Sequence, residues 1–251
     1  ADSREKIVQK AIEIVFSYIF EQEFLDSSHG FRVGRSCHSA LKYLQLKIGN
    51  VSAYSWVVEG DIKGCFDNIA HSILLKKIKQ KVDCVATIKL VEQILIAGFV
   101  LDADIKNVGK NAKVFKSDVG VPQGSVLSPL FCNIVLHELD KFVENSLRKD
   151  FTAGVTRKSN LEYRKARYKI RTVLDKKKRR KLINLALKIN PKVIEDPKFK
   201  RIYYVRYADD WVILVAGSFS EAESIREKMR EKLAELKLEL NNEKPKITSL
   251  R

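Results

Sequence analysis

Ile202-Tyr203-Tyr204-Val205-Arg206-Tyr207-Ala208-Asp209-Asp210-Trp211-Val212-Ile213-Leu214-Val215-Ala216 sets two apolar runs on either side of an acidic interruption. β-Branched and aromatic residues fill Ile202–Tyr207 and Trp211–Ala216, which predicts two short strands. Ala208-Asp209-Asp210 between them predicts a tight hairpin with an acidic tip. Carboxylates at the tip of a buried hairpin carry a desolvation cost on the order of several kcal/mol unless a cation compensates them. Arg206 is the nearest basic residue, but it sits on the strand itself. A divalent metal is the other compensator, since Mg²⁺ takes one or two carboxylates together with substrate phosphates. Asp-Asp is also a common turn dipeptide, so the hairpin alone leaves both readings open.

Working outward, Ser55-Trp56-Val57-Val58-Glu59-Gly60-Asp61-Ile62 reads as another buried strand and ends at a carboxylate. Asp61 is therefore a candidate third acid in the same sheet. Between these strands the periodicity predicts helices over Ser72–Lys81 and Asp83–Ala97, the second closed by Gly98. A further helix starts at Ser128-Pro129, with a capping hydroxyl and Pro in the first turn. Val119-Gly120-Val121-Pro122-Gln123-Gly124-Ser125 is a loop. Phe99–Leu101 and Lys113–Lys116 read as a second hairpin. N-terminal to the first strand, Glu5–Phe24 predicts a helix buried on most sides, and Ser39–Ile48 another. After the hairpin, Ser220 and Glu223 suggest a capping box for a helix carrying Ile225, Met229, Leu233 and Leu236. Lys237–Leu240 reads as a final strand. The pattern predicts an α+β fold, an antiparallel sheet packed by helices on one face.

The 251 residues, 45% hydrophobic with 11 Gly and 5 Pro, suffice for a full core and exclude a disordered or fibrous chain. No apolar run approaches the ~18 residues of a membrane span, and no membrane partner is expected. Cys37, Cys65, Cys84 and Cys132 form no CxxC pair, which argues against a disulfide scaffold or a zinc module. The net charge is +16, and its placement is uneven. Between Arg148 and Arg206 stand 21 basic and 5 acidic residues, whereas the remainder holds 26 of each and is neutral. The basicity is one helical insertion, with stretches over Asn160–Arg171 and Lys176–Ile189, in an otherwise ordinary globular sequence. Such a block either binds polyanion or is a solvated, self-repelling face.

Three motifs stand in order: Asp61-Ile62-Lys63-Gly64-Cys65-Phe66-Asp67, then Val121-Pro122-Gln123-Gly124-Ser125-Val126-Leu127-Ser128-Pro129, then Tyr207-Ala208-Asp209-Asp210. Together they resemble the palm of reverse transcriptases. Ser28-His29-Gly30-Phe31-Arg32, Tyr204-Val205-Arg206-Tyr207 and Leu240-Asn241-Asn242-Glu243-Lys244 resemble the group II intron maturase branch of that family. The resemblance implies a right-hand palm with partial fingers and no thumb. Residues 1–54 would be fingers-like, 55–147 and 202–251 palm, and 148–201 a basic insertion within the palm.

The family resemblance further implies two-metal nucleotidyl transfer by an RNA-directed DNA polymerase. Asp61 and Asp209 would hold two Mg²⁺ ions with the Ile62 carbonyl, and Asp210 would be the neighbouring carboxylate. Phe66 matches the aromatic that packs under the nucleotide sugar and excludes a 2′-OH; its alternative is a core Phe. Gln123 matches the amide facing the incoming nucleotide. Lys244 matches a lysine near the pyrophosphate, with a solvated surface lysine as the alternative. Arg32 and Arg35 would contact template phosphates or serve in capping and surface roles. Lys176, Lys177, Lys178, Arg179, Arg180 and Lys181 would bind RNA.

Expected partners are group II intron RNA, an RNA template with DNA primer, and deoxynucleoside triphosphates. A further chain supplying the fingers tip and thumb is a possible partner. The competing function is a non-catalytic RNA-binding maturase that uses the same fold as a scaffold. A viral RNA-dependent RNA polymerase shares the palm logic, but Phe66 counts against it. Lysine-rich composition leans towards a mitochondrial matrix, with a bacterial cytoplasm as the alternative.

Overall fold

The computed structural model describes residues 3–48, 54–97, 117–122, 124–193, 196–241 and 246–250. Among these, β1 (Trp56–Gly60), β2 (Arg201–Tyr207), β3 (Asp210–Ala216) and β4 (Ile247–Ser249) form one antiparallel sheet in the order β2-β3-β1-β4. β1 leads through helices to the β2–β3 hairpin, and a helix then leads to β4, which is a split β-α-β path. The sheet and its antiparallel hairpin agree with the expected α+β class. The expected hairpin of Phe99–Leu101 with Lys113–Lys116 lies outside the described residues, as does Gly98.

Strand alternation sorts the core into two layers. Val58, Ile202, Tyr204, Trp211, Ile213 and Val215 face the main core with α6 (Ser128–Phe142) and α9 (Phe219–Glu235). On the other face, Val57, Tyr203, Val205 and Leu214 meet Ala40, Tyr43 and Leu44 of α2 (Cys37–Ile48). Helices therefore cover part of both faces, where the sequence pattern suggested one. α3 (Cys65–Asn68), α4 (His71–Lys79) and α5 (Val85–Ile96) follow β1. The insertion carries α7 (Leu161–Thr172) and α8 (Lys176–Ala186), which pack on each other.

Several elements depart from the sequence reading for identifiable reasons. α1 (Ser3–Phe20) buries Gln9, Ile12, Phe16 and Phe20, while Ile7, Ile14, Val15 and Tyr18 are exposed, so its apolar residues are not all core. Ser128 does not cap α6; its Oγ donates to the Pro122 carbonyl at 2.7 Å, and Leu127 holds the N-cap position. The capping box of α9 is Ser218 and Glu221, two residues earlier than expected, because Ser218 is the last extended residue. Lys237–Leu240 is not a strand. Leu236, Leu238 and Leu240 alternate into the core, but Lys237 adopts φ 57° and only Leu240 bridges, to Ile62. The alternation reported burial without ladder pairing, and β4 forms later, at Ile247–Ser249.

Two glycines permit the close packing on which the acidic end of the sheet depends. A Cβ on Gly60 would lie 2.1 Å from the Trp211 ring, and one on Gly30 would lie 2.2 Å from the Ala208 nitrogen. The first contact is with a buried indole and the second with backbone, so neither neighbour yields easily. Gly60→Ala is expected to destabilise the domain by roughly 1–3 kcal/mol through overpacking. Urea unfolding of the two proteins measures this, and an unchanged midpoint would show that Trp211 is free to move.

Candidate active site

The strand register places the acids. Gly60 pairs with Trp211 and Tyr207 with Asp210, so Asp61 and Asp210 lie at the same end of neighbouring strands, with Asp209 in the turn beside them. Asp61 and Asp209 are half-buried and Asp210 is exposed, which lowers the desolvation cost that the sequence alone suggested. Trp211 faces the core, so alternation turns Asp210 to the opposite face of β3. Asn241 holds Asp61 twice: its Nδ2 donates to Oδ2 at 2.9 Å, and its backbone N–H donates to the Asp61 carbonyl at 2.8 Å. The Cys65 thiol is pushed well up by its contact with the Cys132 sulfur at 3.6 Å, by burial, and further by the Asp209 charge. Asp209 therefore lies within electrostatic reach of the first turn of α3.

Among the described residues, no group of three or more His, Cys, Asp or Glu is arranged to hold a metal ion. Asp61, Asp209 and Asp210, expected to share one metal site, are thus not gathered into a three-carboxylate group. The oxygen donors at this end, two half-buried carboxylates and the Ile62 backbone, suit a hard cation that keeps waters and substrate oxygens in its shell.

Phe66, in α3, is half-buried and meets exposed Phe31 edge-on at 6.1 Å between centroids. Its carbonyl accepts from Val121 N–H at 2.8 Å, which ties the Val121-Pro122 loop directly to the first motif. His71 Nε2 contacts the Gly120 carbonyl at 2.6 Å, and buried Gln9 accepts from Ser125 Oγ at 2.9 Å and Val126 N–H at 3.2 Å. His71 and Gln9 are loop anchors that the sequence reading assigned no role. Gln123 and Lys244 lie outside the described residues.

Behind the acidic turn is a network of side chains that sequence reasoning missed. Arg206 is 0% exposed and so is Asp140. Arg206 Nε and Nη2 donate to the two Asp140 oxygens at 2.8 and 2.7 Å. Nη1 donates to Asn133 Oδ1 at 3.0 Å and to the Ala208 carbonyl at 2.8 Å, and Nη2 also donates to Ser28 Oγ at 2.8 Å. Tyr204 Oη donates to Asp140 at 2.8 Å, and Asn133 Nδ2 donates to the Gly30 carbonyl at 2.9 Å. Burial opposes the Arg206 charge, but Asp140 more than offsets it and its pKa is raised. Residues 27–29 run alongside β2, with His29 N–H donating to Arg206 O at 2.9 Å and Arg206 N–H to Ser27 O at 2.7 Å.

Arg32 is committed to the protein. Its guanidinium bonds Glu21 and the carbonyls of Phe24, Leu25 and Ser28, and the side chain is 4% exposed. That burial removes it from the surface where a template phosphate would lie. Arg35 instead pairs with highly exposed Asp26 at 2.7 Å. Lys176, Lys177, Lys178, Arg179, Arg180 and Lys181 are all exposed and fill the first half of α8. Asp175 caps that helix by accepting from Lys178 N–H at 2.9 Å. Next to it, Tyr163, Arg164, Arg167, Tyr168, Arg171 and Lys192 line a cleft of about 820 Å³.

A family model for reverse transcriptase (RNA-dependent DNA polymerase) matches residues 2–250. The chain belongs to the reverse transcriptase family. A protein named group II intron-encoded protein LtrA, from Lactococcus lactis, is 37% identical over 97% of this chain and 40% of its own length. An uncharacterized 91 kDa protein in the cob intron of Schizosaccharomyces pombe is 36% identical over 98% of this chain and 30% of its own length. The reverse transcriptase chain thus spans less than half of either relative. These likenesses place it in the group II intron-encoded branch. Telomerase from Candida tropicalis shares the fold, with TM-score 0.56 and 13% identity, across 96% of this chain and 40% of that one.

His29, whose Nδ1 contacts Ser39 Oγ at 2.8 Å, has its pKa lowered from the ordinary 6.5 by burial and then by Arg35 and Arg32. The unfolded chain therefore takes up the proton more readily than the folded one, and stability is complete above 6.5 and falls as pH drops below it. Thermal melts between about pH 7.5 and pH 5 should show this decline. His29→Gln should make it shallower; an unaltered pH dependence in that variant would assign the effect to other groups.

Proposed function

We propose that this chain is the catalytic core of a group II intron RNA-directed DNA polymerase, using two Mg²⁺ ions and carrying an intron-RNA binding, maturase-type role. The observation that supports it best is the placement of Asp61 and Asp209 at one end of adjacent strands, with Phe66 and the Val121 loop hydrogen-bonded beside them. Asp61, Asp209 and the Ile62 carbonyl would hold Mg²⁺, which when bound favours ionisation of a primer 3′-OH and offsets charge on the departing pyrophosphate. Asn241 keeps the Asp61 carboxylate oriented. The Phe66 ring occupies the space a ribose 2′-OH would need, and so selects deoxynucleoside triphosphates. Gln123 offers a neutral amide to the incoming nucleotide without demanding one base, and Lys244 neutralises the pyrophosphate. Arg35 exchanges its exposed Asp26 partner for a template phosphate at little cost.

In this reading residues 1–54 serve as fingers, 55–147 and 202–251 as palm, and 148–201 as the RNA anchor. Six cations in the first half of α8 oppose the positive end of the helix dipole, an arrangement more readily explained by an anionic partner than by stability. α7 extends the same basic surface with Tyr163 and Tyr168, which can stack on bases. The setting is a mitochondrial matrix or a bacterial cytoplasm, a reading supported by relatives that include a mitochondrial protein and one from a bacterium.

In the full-length protein, Asp209→Ala should abolish primer extension while RNA affinity stays within a few-fold. Retained extension would remove Asp209 from the chemistry. Neutralising Lys176, Lys177, Lys178, Arg179, Arg180 and Lys181 should weaken RNA binding and flatten its salt dependence. A helix presents about half of six consecutive residues to one ligand, so the log–log slope should fall by roughly 2–3 units, at ~0.7–0.9 per phosphate. An unchanged slope would make α8 a solvated face. Phe66→Val should raise ribonucleotide incorporation relative to deoxynucleotide in steady-state assays, and an unchanged ratio in an active variant would leave Phe66 as core packing.

A further inference from the structure

We infer that Arg206 and Asp140 are positioning residues for the acidic turn, fixing from inside the protein the peptide that carries Asp209. The inference rests on the metal-holding role proposed for Asp61 and Asp209. The Ala208 carbonyl belongs to the Ala208–Asp209 peptide, and Arg206 Nη1 holds it at 2.8 Å. Ala208 has φ 55°, a backbone state uncommon for an L residue that the two-residue turn between Tyr207 and Asp210 calls for. This bond and the Gly30 backbone packed against Ala208 hold the turn in that state. The same guanidinium secures the Gly30 side as well, through Ser28 Oγ and through Asn133, whose amide donates to Gly30 O. Asp140 sets the guanidinium in plane by accepting from two of its nitrogens, and Tyr204 fixes the carboxylate in turn. One buried cation thus clamps the turn from two sides.

A purely structural ion pair would allow replacement by apolar residues of similar volume once the fold is restored, and such replacements are often neutral or stabilising. A positioning pair would not. The test compares wild type, Asp209→Ala, Asp140→Leu with Arg206→Met, and Arg206→Lys in the full-length protein. Arg206→Lys keeps a charge facing Asp140 but cannot also reach Ala208 and Ser28. Mn²⁺ binding is followed by electron paramagnetic resonance, together with thermal melting, kcat and KM for primer extension, and hydrogen exchange at residues 207–210.

Wild type should bind Mn²⁺ that Asp209→Ala does not. The double variant and Arg206→Lys should bind it about 10–100-fold more weakly and lose kcat by a similar factor. KM should stay within a few-fold, and residues 207–210 should exchange faster. If the double variant does not fold, Arg206→Lys carries the decision. Wild-type Mn²⁺ affinity and kcat in a folded pair variant would overturn the inference while leaving the metal reading intact. If wild type and Asp209→Ala bind Mn²⁺ alike, the metal reading itself fails and the inference falls with it.

Discussion

A guanidinium with no solvent contact must find an acceptor for each of its five N–H groups. Leaving one unpaired costs about 1–3 kcal/mol, and leaving the charge without a counter-ion costs more. In this chain the acceptors for Arg206 come from four separate places. Asp140 and Asn133 stand two turns apart on α6, Ser28 lies in the loop after α1, and Ala208 lies in the turn that follows Arg206 itself. Helix, loop and hairpin cannot be placed independently once that requirement is imposed. The acidic end of the sheet inherits its geometry from a charge buried behind it.

The hairpin was legible because its information is local: β-branched and aromatic runs, a break, and two acids in sequence. Asp61 was legible for the same reason, as the end of a buried strand. Arg206 was visible only as a residue on a strand, because Asp140 and Ser28 are 66 and 178 residues away from it. Gln9, which clasps the loop after Pro122, reads as one polar position in an apolar helix, and its partner is 116 residues distant. Arg32 shows the opposite failure. Its place in a polar, glycine-containing stretch suggested a surface residue, yet the chain folds back so that local carbonyls surround it. Polarity in sequence does not distinguish a cation offered to solvent from one used to close a loop.

The two classes of positive charge in this protein obey different physics. Arg206 and Arg32 sit where water is excluded, and each is matched by a carboxylate and by backbone or side-chain oxygens. The cations of α8 sit in solvent, are crowded at the positive end of a helix, and are offset locally by the cap at Asp175. The first class is held by geometry and is indifferent to salt. The second is screened by salt within about 10 Å at 0.1 M and is available to any polyanion of matching spacing. The formal charge of +16 conceals this division, which only burial reveals.

The insertion that carries the second class is attached at a narrow stem. Ala153 and Lys200 exchange both of their backbone hydrogen bonds at 3.0 Å, and farther out Ser159 bridges Lys192. The chain therefore enters the insertion from the helical stretch that ends at Asp150 and rejoins the sheet immediately after Lys200, at the start of β2, where Arg201 also donates to the Gly154 carbonyl at 3.0 Å. What lies beyond the pair of Ala153 and Lys200 can lengthen, shorten or change its charge without altering the register of the hairpin, because the strain of any rearrangement ends at the stem. Such a connection divides one polypeptide into two settings. The acidic turn is bound to a buried network, while the solvent-facing cations of α7 and α8 lie beyond the stem.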